Sequence, residues 1–233
     1  MSKVLPILFN TDMVRAILDG RKTVTRRICK DANELTVPDM GFYDAEKRTY
    51  AVHNFADKDH TDQLSTAERT CPICPGDILY VRETWSPVFV VPRRYLYKVG
   101  CKEAENLPIK WHPSIHMPKE AARIWLKVTD VRVERLQEIT EEQAKTEGIR
   151  GYSKDGNLYK YAVTDDWWID YHNKHRKSFL GTWWQDMPRT ASEAFSYLWN
   201  STIKKSDLDL YGWDANPLVW IIEFERCEKP EGW

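Results

Sequence analysis

Gly20-Arg21-Lys22-Thr23-Val24-Thr25-Arg26-Arg27 sets a lysine, two threonine hydroxyls and a pair of adjacent guanidiniums directly behind a predicted helix. Upstream, Val4 to Phe9 reads as a first strand. Asn10-Thr11 then offers a helix cap, Met13, Val14, Ile17 and Leu18 fall on one helical face, and Gly20 stops it. Downstream, Thr23, Thr25 and Arg27 alternate with Val24, Arg26 and Ile28, the period of a half-buried strand, which puts Thr25 and Arg27 on one face. A lysine three residues before a threonine offers a base and a nucleophile, provided that burial and the neighbouring arginines lower the lysine pKa. A solvated basic turn that closes a helix is the competing reading, because cations favour helix C-termini.

The chain has 233 residues, with 34 lysines and arginines against 35 acids, so no global positive field advertises long nucleic acid as a partner. A local basic patch does exist, where Arg15, Arg21, Lys22, Arg26, Arg27 and Lys30 face the single acid Asp19. Such a patch suits a phosphate, a nucleotide or a short single strand. No apolar run approaches a membrane-spanning length, and the apolar stretch near the N-terminus is too short for a secretory leader. A cytoplasmic protein with reduced cysteines and no membrane partner is expected. Cys71-Pro72-Ile73-Cys74 has zinc-knuckle spacing, but no second pair follows at a matching interval, so neither metal nor cofactor is expected.

Further along, residues 31–74 are polar and irregular and read as an insertion or lid, with a hairpin of Phe42-Tyr43 against Thr49 to Val52. Ile78, Tyr80 and Arg82 alternate with Leu79 and Val81 in another strand, and Tyr95 to Val99 makes a short one. Arg123 to Val133 reads as a long strand bent near Asp130, of the kind that suits a small closed barrel. Thr140-Glu141-Glu142-Gln143 is a capping box, Ile139 and Ala144 are placed as a staple, and Gly148 is the stop, so a short helix covers about Glu141 to Glu147. Residues 150–189 form an aromatic-rich segment in which Trp167, Trp168, Tyr171, His172, His175 and Phe179 recur at helical spacings, read mainly as packing. A second capping box, Thr190 to Glu193, opens a helix whose buried face is Phe195, Leu198, Trp199 and Thr202. The closing strand shares Leu218, Trp220, Ile222 and Phe224 on one face.

The ordered set of motifs resembles the ASCH domain: Gly20-x-Lys22 followed by Arg27, Pro75-Gly76-Asp77-Ile78-Leu79 ahead of a strand, and the last strand Val219 to Phe224. Arg82-Glu83-Thr84-Trp85 and the stretch Trp111 to Pro118 are similar to a bacteriophage and prophage branch of that family. The resemblance spans about Val4 to Arg226 and implies an α+β fold. It would be a small mixed β-barrel of the PUA-like type with flanking helices, elaborated by two insertions in a single domain over residues 1–233.

In ASCH proteins that deacetylate N4-acetylcytidine, a lysine and a threonine of the first motif and a glutamate in a short helix are catalytic. The resemblance carries those roles onto Lys22, Thr25 and Glu147. A threonine hydroxyl needs an adjacent base, for which Lys22 would serve. Glu147 would pass a proton to the leaving amine, and Arg27 or backbone amides would hold the oxyanion. Gly20, Thr23, Arg26, Arg27, Glu83, Trp85, Trp111 and His116 are the expected substrate-binding residues, and Thr23 is a competing hydroxyl. Trp85 and Trp111 would stack a base, or else serve as core tryptophans.

Three function classes follow. The first is a metal-free amidohydrolase of N4-acylated cytidine or a related modified nucleoside. The second is a non-catalytic module binding RNA, single-stranded nucleic acid or a modified base. The third is a nuclease, for which Glu83 and Glu147 would have to lie close.

Overall fold

Leu218, Val219, Trp220, Ile221 and Ile222 are all buried, so the strand Leu218–Cys227 meets the core on both faces. A near-continuous apolar run of this kind belongs in a sheet interior. In the computed structural model this strand, β12, pairs antiparallel with Trp125–Arg135 (β9) on one side and with Val24–Ile28 (β2) on the other. Ile78–Arg82 (β6) pairs with β9, and Val4–Leu8 (β1) lies parallel to β6, giving the order β1-β6-β9-β12-β2. The structure describes residues 2–29, 38–44, 48–54, 65–70, 72–88, 94–101, 108–175 and 183–232.

The predicted closed barrel does not form, because β1 and β2 remain the two edges of an open sheet. Arg27 Nη2 donates to the carbonyl of Leu8 at 3.1 Å, so a side chain joins the two edge strands. Between them in sequence, helix Thr11–Leu18 (α1) buries Met13, Val14, Ala16 and Ile17 in the core. The bend expected near Asp130 is present as a register shift: Glu223 faces Asp130 and Phe224 faces Val128, which leaves Thr129 unpaired in that ladder.

The predicted helix ends hold. Asn10 Oδ1 accepts from Met13 N at 2.9 Å, and Gly20 takes the left-handed backbone, φ 74°, that ends α1. Helix Glu141–Thr146 (α2) carries the full capping box, with Thr140 and Gln143 satisfying each other's backbone amides. Helix Ala191–Thr202 keeps half of its box, since Thr190 Oγ1 accepts from Glu193 N while the Glu193 carboxylate turns back to Arg189 N. The rest of that cap comes from Glu141, whose carboxylate accepts from Ala191 N at 2.7 Å and Ser192 N at 3.1 Å. Thr202, expected on the buried face, is exposed at the last turn.

The hairpin predicted inside residues 31–74 forms between Pro38–Asp44 (β3) and Thr49–Asn54 (β4), and Ser65–Thr70 (β5) extends it to three strands. Buried Asp77 ties this region to the main sheet: its carboxylate accepts from Lys3 N, Cys74 N and both Nη atoms of Arg48 at 2.6–3.0 Å. Cys71 of the zinc-type pair lies outside the described residues, and Cys74 is buried. Trp85–Val88 (β7) and Arg94–Tyr97 (β8) form a small separate ladder.

The segment 150–189 is not wholly helical as expected. It opens with a hairpin, Arg150–Ser153 (β10) against Tyr159–Ala162 (β11), turned by Asp155, which accepts from the amides of Asn157 and Leu158, and by Gly156 at φ 79°. The aromatic helix follows as Asp165–His175 (α3), then Trp183–Asp186 (α4); Phe179 lies outside the described residues. The aromatics pack as expected: Trp168 is buried against Tyr197, and its Nε1 donates to Trp183 O at 2.7 Å. No described helix is long and apolar enough to cross a membrane.

Candidate active site

The end of α2 is pressed against the start of β2. Thr23 N donates to Thr146 O at 3.0 Å, Lys22 bridges Glu147, and Arg21 Nη1 donates to Gly148 O at 2.8 Å. Gly148 permits this approach. Its φ of 103° suits glycine, and a Cβ there would stand 3.1 Å from the Ala16 Cβ and 3.6 Å from that of Lys22.

Lys22, at 3 % exposure, therefore points into the interior, where Nζ donates to Glu147 Oε2 at 2.6 Å, Glu147 O at 3.0 Å and Val24 O at 2.7 Å. Those three acceptors satisfy all the donors of an ammonium. Glu147 is the cap residue just after α2 and is also buried, and its second oxygen accepts from Arg26 Nη1 at 3.1 Å. Arg26 Nη2 reaches Gln143 Oε1 at 3.2 Å, whereas its buried Nε has no partner. Burial lowers the Lys22 pKa below the ordinary lysine value; the Glu147 carboxylate opposes that shift and the Arg27 and Arg26 charges reinforce it.

Lys22, Thr25, Arg26, Arg27 and Glu147 line one pocket of ≈ 90 Å³. Thr25 is buried on β2 opposite Ile222 of β12. Phe9 of the β1–α1 junction stands beside the cations, with Lys22 Nζ 5.6 Å and Arg27 Cζ 5.3 Å from its ring centre. The helix Ala191–Thr202 (α5) supplies the facing wall through Phe195, Leu198 and Trp199, with Thr202 at its end. Phe195 also covers Arg26, whose Cζ lies 5.7 Å from the ring centre.

The expected site residues thus divide. Gly20 and Thr23 are exposed and do not line the pocket, which leaves Thr25 as its threonine hydroxyl near the motif lysine. Glu83, Trp85, Trp111 and His116 do not line it either. Glu83 is buried in a two-pronged pair with Arg123, both contacts at 2.9 Å. Trp85 packs with Met117 and Ala121, edge-on to Tyr95, and its buried Nε1 lacks a partner. Trp111 is half-buried and His116 exposed. Glu83 and Glu147 are each committed to their own cations. Among the described residues no group of three His, Cys, Asp or Glu side chains is placed to hold a metal ion.

Sequence reasoning missed Gln143 as a site residue, although the capping box singled it out, and missed Phe9, Asn10 and the α5 wall, whose stripe reads simply as core. Searches of protein-family models, curated proteins and solved structures find no match to this chain.

Proposed function

We propose that this protein is an amidohydrolase acting on an N4-acylated cytidine or a related modified nucleoside, on an elaborated PUA-like, ASCH-type scaffold. The observation that carries the reading is the meeting of the buried Lys22, Thr25 and Glu147, from segments about 120 residues apart, around one pocket. Side chains alone supply the chemistry. A proton passes from the Lys22 ammonium to the Glu147 carboxylate across their 2.6 Å contact, a transfer that burial favours because it replaces two charges by two neutral groups. Arg26 opposes it by favouring the carboxylate.

Neutral Lys22 takes the Thr25 proton as Oγ1 attacks the acyl carbonyl. The tetrahedral oxyanion is received by Arg26, whose Nε–H is unshared, or by Arg27, both of which line the pocket. Protonated Glu147 then gives its proton to the N4 amine as the C–N bond breaks, leaving acyl-threonine and the original lysine-carboxylate pair. Water repeats the sequence, its proton passing to Lys22 and the Thr25 oxygen regaining one from Glu147 as the acid departs.

One observation favours the alternative of a non-catalytic module for RNA or a modified base. All three donors of Lys22 are taken, as in a purely structural ammonium. The test is cytidine release from N4-acetylcytidine, followed by ultraviolet absorbance, with Lys22→Ala in parallel. The hydrolase reading expects release that the variant loses. No release from folded wild-type protein, together with RNA binding weakened by Arg27→Ala, would transfer the assignment to the binding module.

A further inference from the structure

We infer that the α5 wall, through Leu198, sets an upper limit on the acyl group the site can process, so that the substrates are short-chain N4-acyl nucleosides; this inference rests on the hydrolase reading. The pocket has two chemically distinct sides. Charged and hydroxyl groups come from β2 and the end of α2, whereas Phe195, Leu198 and Trp199 of α5 and Met13 of α1 present hydrocarbon and aromatic surface. A carbonyl placed for attack by Thr25 has its leaving nitrogen toward the polar side, where Glu147 supplies the proton. Its carbon substituent therefore enters the apolar side.

Size then decides which substituents enter. Pockets that enclose ligands as large as a nucleoside run to about 300–1,000 Å³. At ≈ 90 Å³ this one cannot enclose the base and sugar as well as the acyl group. The reacting carbonyl claims part of that volume, so the apolar side admits a short acyl chain and turns away a long one. The ring and sugar remain at the rim, where polar Asn10, Arg27 and Thr202 stand.

Among the α5 wall residues, Leu198 is the one whose side chain has packing as its whole role in the described contacts. Phe195 covers the Arg26 guanidinium, and Trp199 is anchored by its Nε1 donating to Tyr211 O at 2.7 Å. Shortening Leu198 enlarges the apolar side while the proton-transfer groups keep their partners.

The experiment compares kcat/KM for N4-acetyl-, N4-butyryl- and N4-hexanoylcytidine in wild type, Leu198→Ala and the gentler Leu198→Val. Wild type should fall by at least about tenfold between butyryl and hexanoyl, the discrimination that a hydrophobic pocket achieves against surplus methylenes. Leu198→Ala should raise the hexanoyl-to-acetyl ratio by at least about tenfold, given about fourfold for each methylene newly buried. Leu198→Val should raise it by a smaller step, and carries the test if the alanine variant fails to fold. Hydrolysis without a chain-length limit, or a ratio unmoved in a folded variant, overturns this inference and leaves the hydrolase reading standing. No hydrolysis of any member by wild type removes both.

Discussion

Lys22, Arg26 and Glu147 form a buried set of two cations and one carboxylate, an arrangement whose parts depend strongly on one another. Replacing Glu147 with glutamine leaves both cations in the interior without a counter-charge, and removing one partner of a buried pair costs about 3–5 kcal/mol. Urea unfolding of Glu147→Gln should show a loss of that order, and residual hydrolysis should be lower by about 10²–10⁴-fold for want of the proton carrier. Lys22→Arg separates charge from basicity, since guanidinium keeps its proton throughout. It should remain folded and lose hydrolysis by a similar factor. The working pair shares one proton and burial lowers the Lys22 pKa, so wild-type kcat/KM should fall as rising pH removes that proton, with a midpoint below the ordinary lysine value of about 10.4. A pH profile still rising over that range would be incompatible with a proton shared between Lys22 and Glu147. At this scale motif spacing drew attention to Lys22 and Thr25 and the family resemblance to Glu147, and the three line one pocket. Glu83, Trp85, Trp111 and His116 do not line that pocket, and in sequence a strand-end tryptophan or a buried glutamate looks the same whether it faces a ligand or a structural arginine.

The elements that hold the site were legible through their caps. Asn10, Gly20, Thr140, Gln143 and Gly148 each announce a helix end by local chemistry, and local chemistry is what a sequence states directly. Gly148 does more than stop α2, because its missing side chain lets Glu147 reach Lys22. Gly148→Ala must combine a φ of 103° with a Cβ 3.1 Å from that of Ala16. A cost of about 1–3 kcal/mol is expected from strain of this kind. Thermal unfolding should record that loss, and hydrolysis should fall with it because the carboxylate is displaced. The link from Glu141 to the first amides of α5 was invisible in sequence, since it joins residues about 50 positions apart. Glu141→Ala should cost about 0.5–2 kcal/mol, as lost helix caps do, measurable by denaturant unfolding.

At the scale of the whole molecule the sequence identified most of the sheet strands but not their closure. Alternation reports that a strand is half-buried and is silent on which neighbour it pairs with, so an open sheet joined at its edges by Arg27 reads the same as a barrel. The β10–β11 hairpin was likewise hidden under the aromatic periodicity that follows it. Asp77 joins the start of β1, the start of β6 and Arg48 near β4, so its charge bears on the whole assembly. Burial raises its pKa, but the hydrogen bonds from Arg48 and from the Lys3 and Cys74 amides more than offset this and hold it below the usual carboxylate range. A depressed folded pKa means that this stabilisation is complete above the unfolded value of about 3.9 and is lost as pH falls through the folded value. Asp77→Asn should therefore cost about 3 kcal/mol at pH 7, the lower end for a broken buried pair because Arg48 reaches solvent. The gap to wild type should narrow as acid unfolding is approached; a constant gap would show that Asp77 acts through packing alone.

The central claim, that Thr25 is the nucleophile of a hydrolase, meets its most direct test in one comparison. Purified wild-type protein and Thr25→Ala, both shown to be folded, are incubated with N4-acetylcytidine and cytidine release is followed. The account predicts turnover by wild type and a loss of at least about 10²-fold in the variant. Equal rates in the two proteins, or no release from wild type, would contradict it.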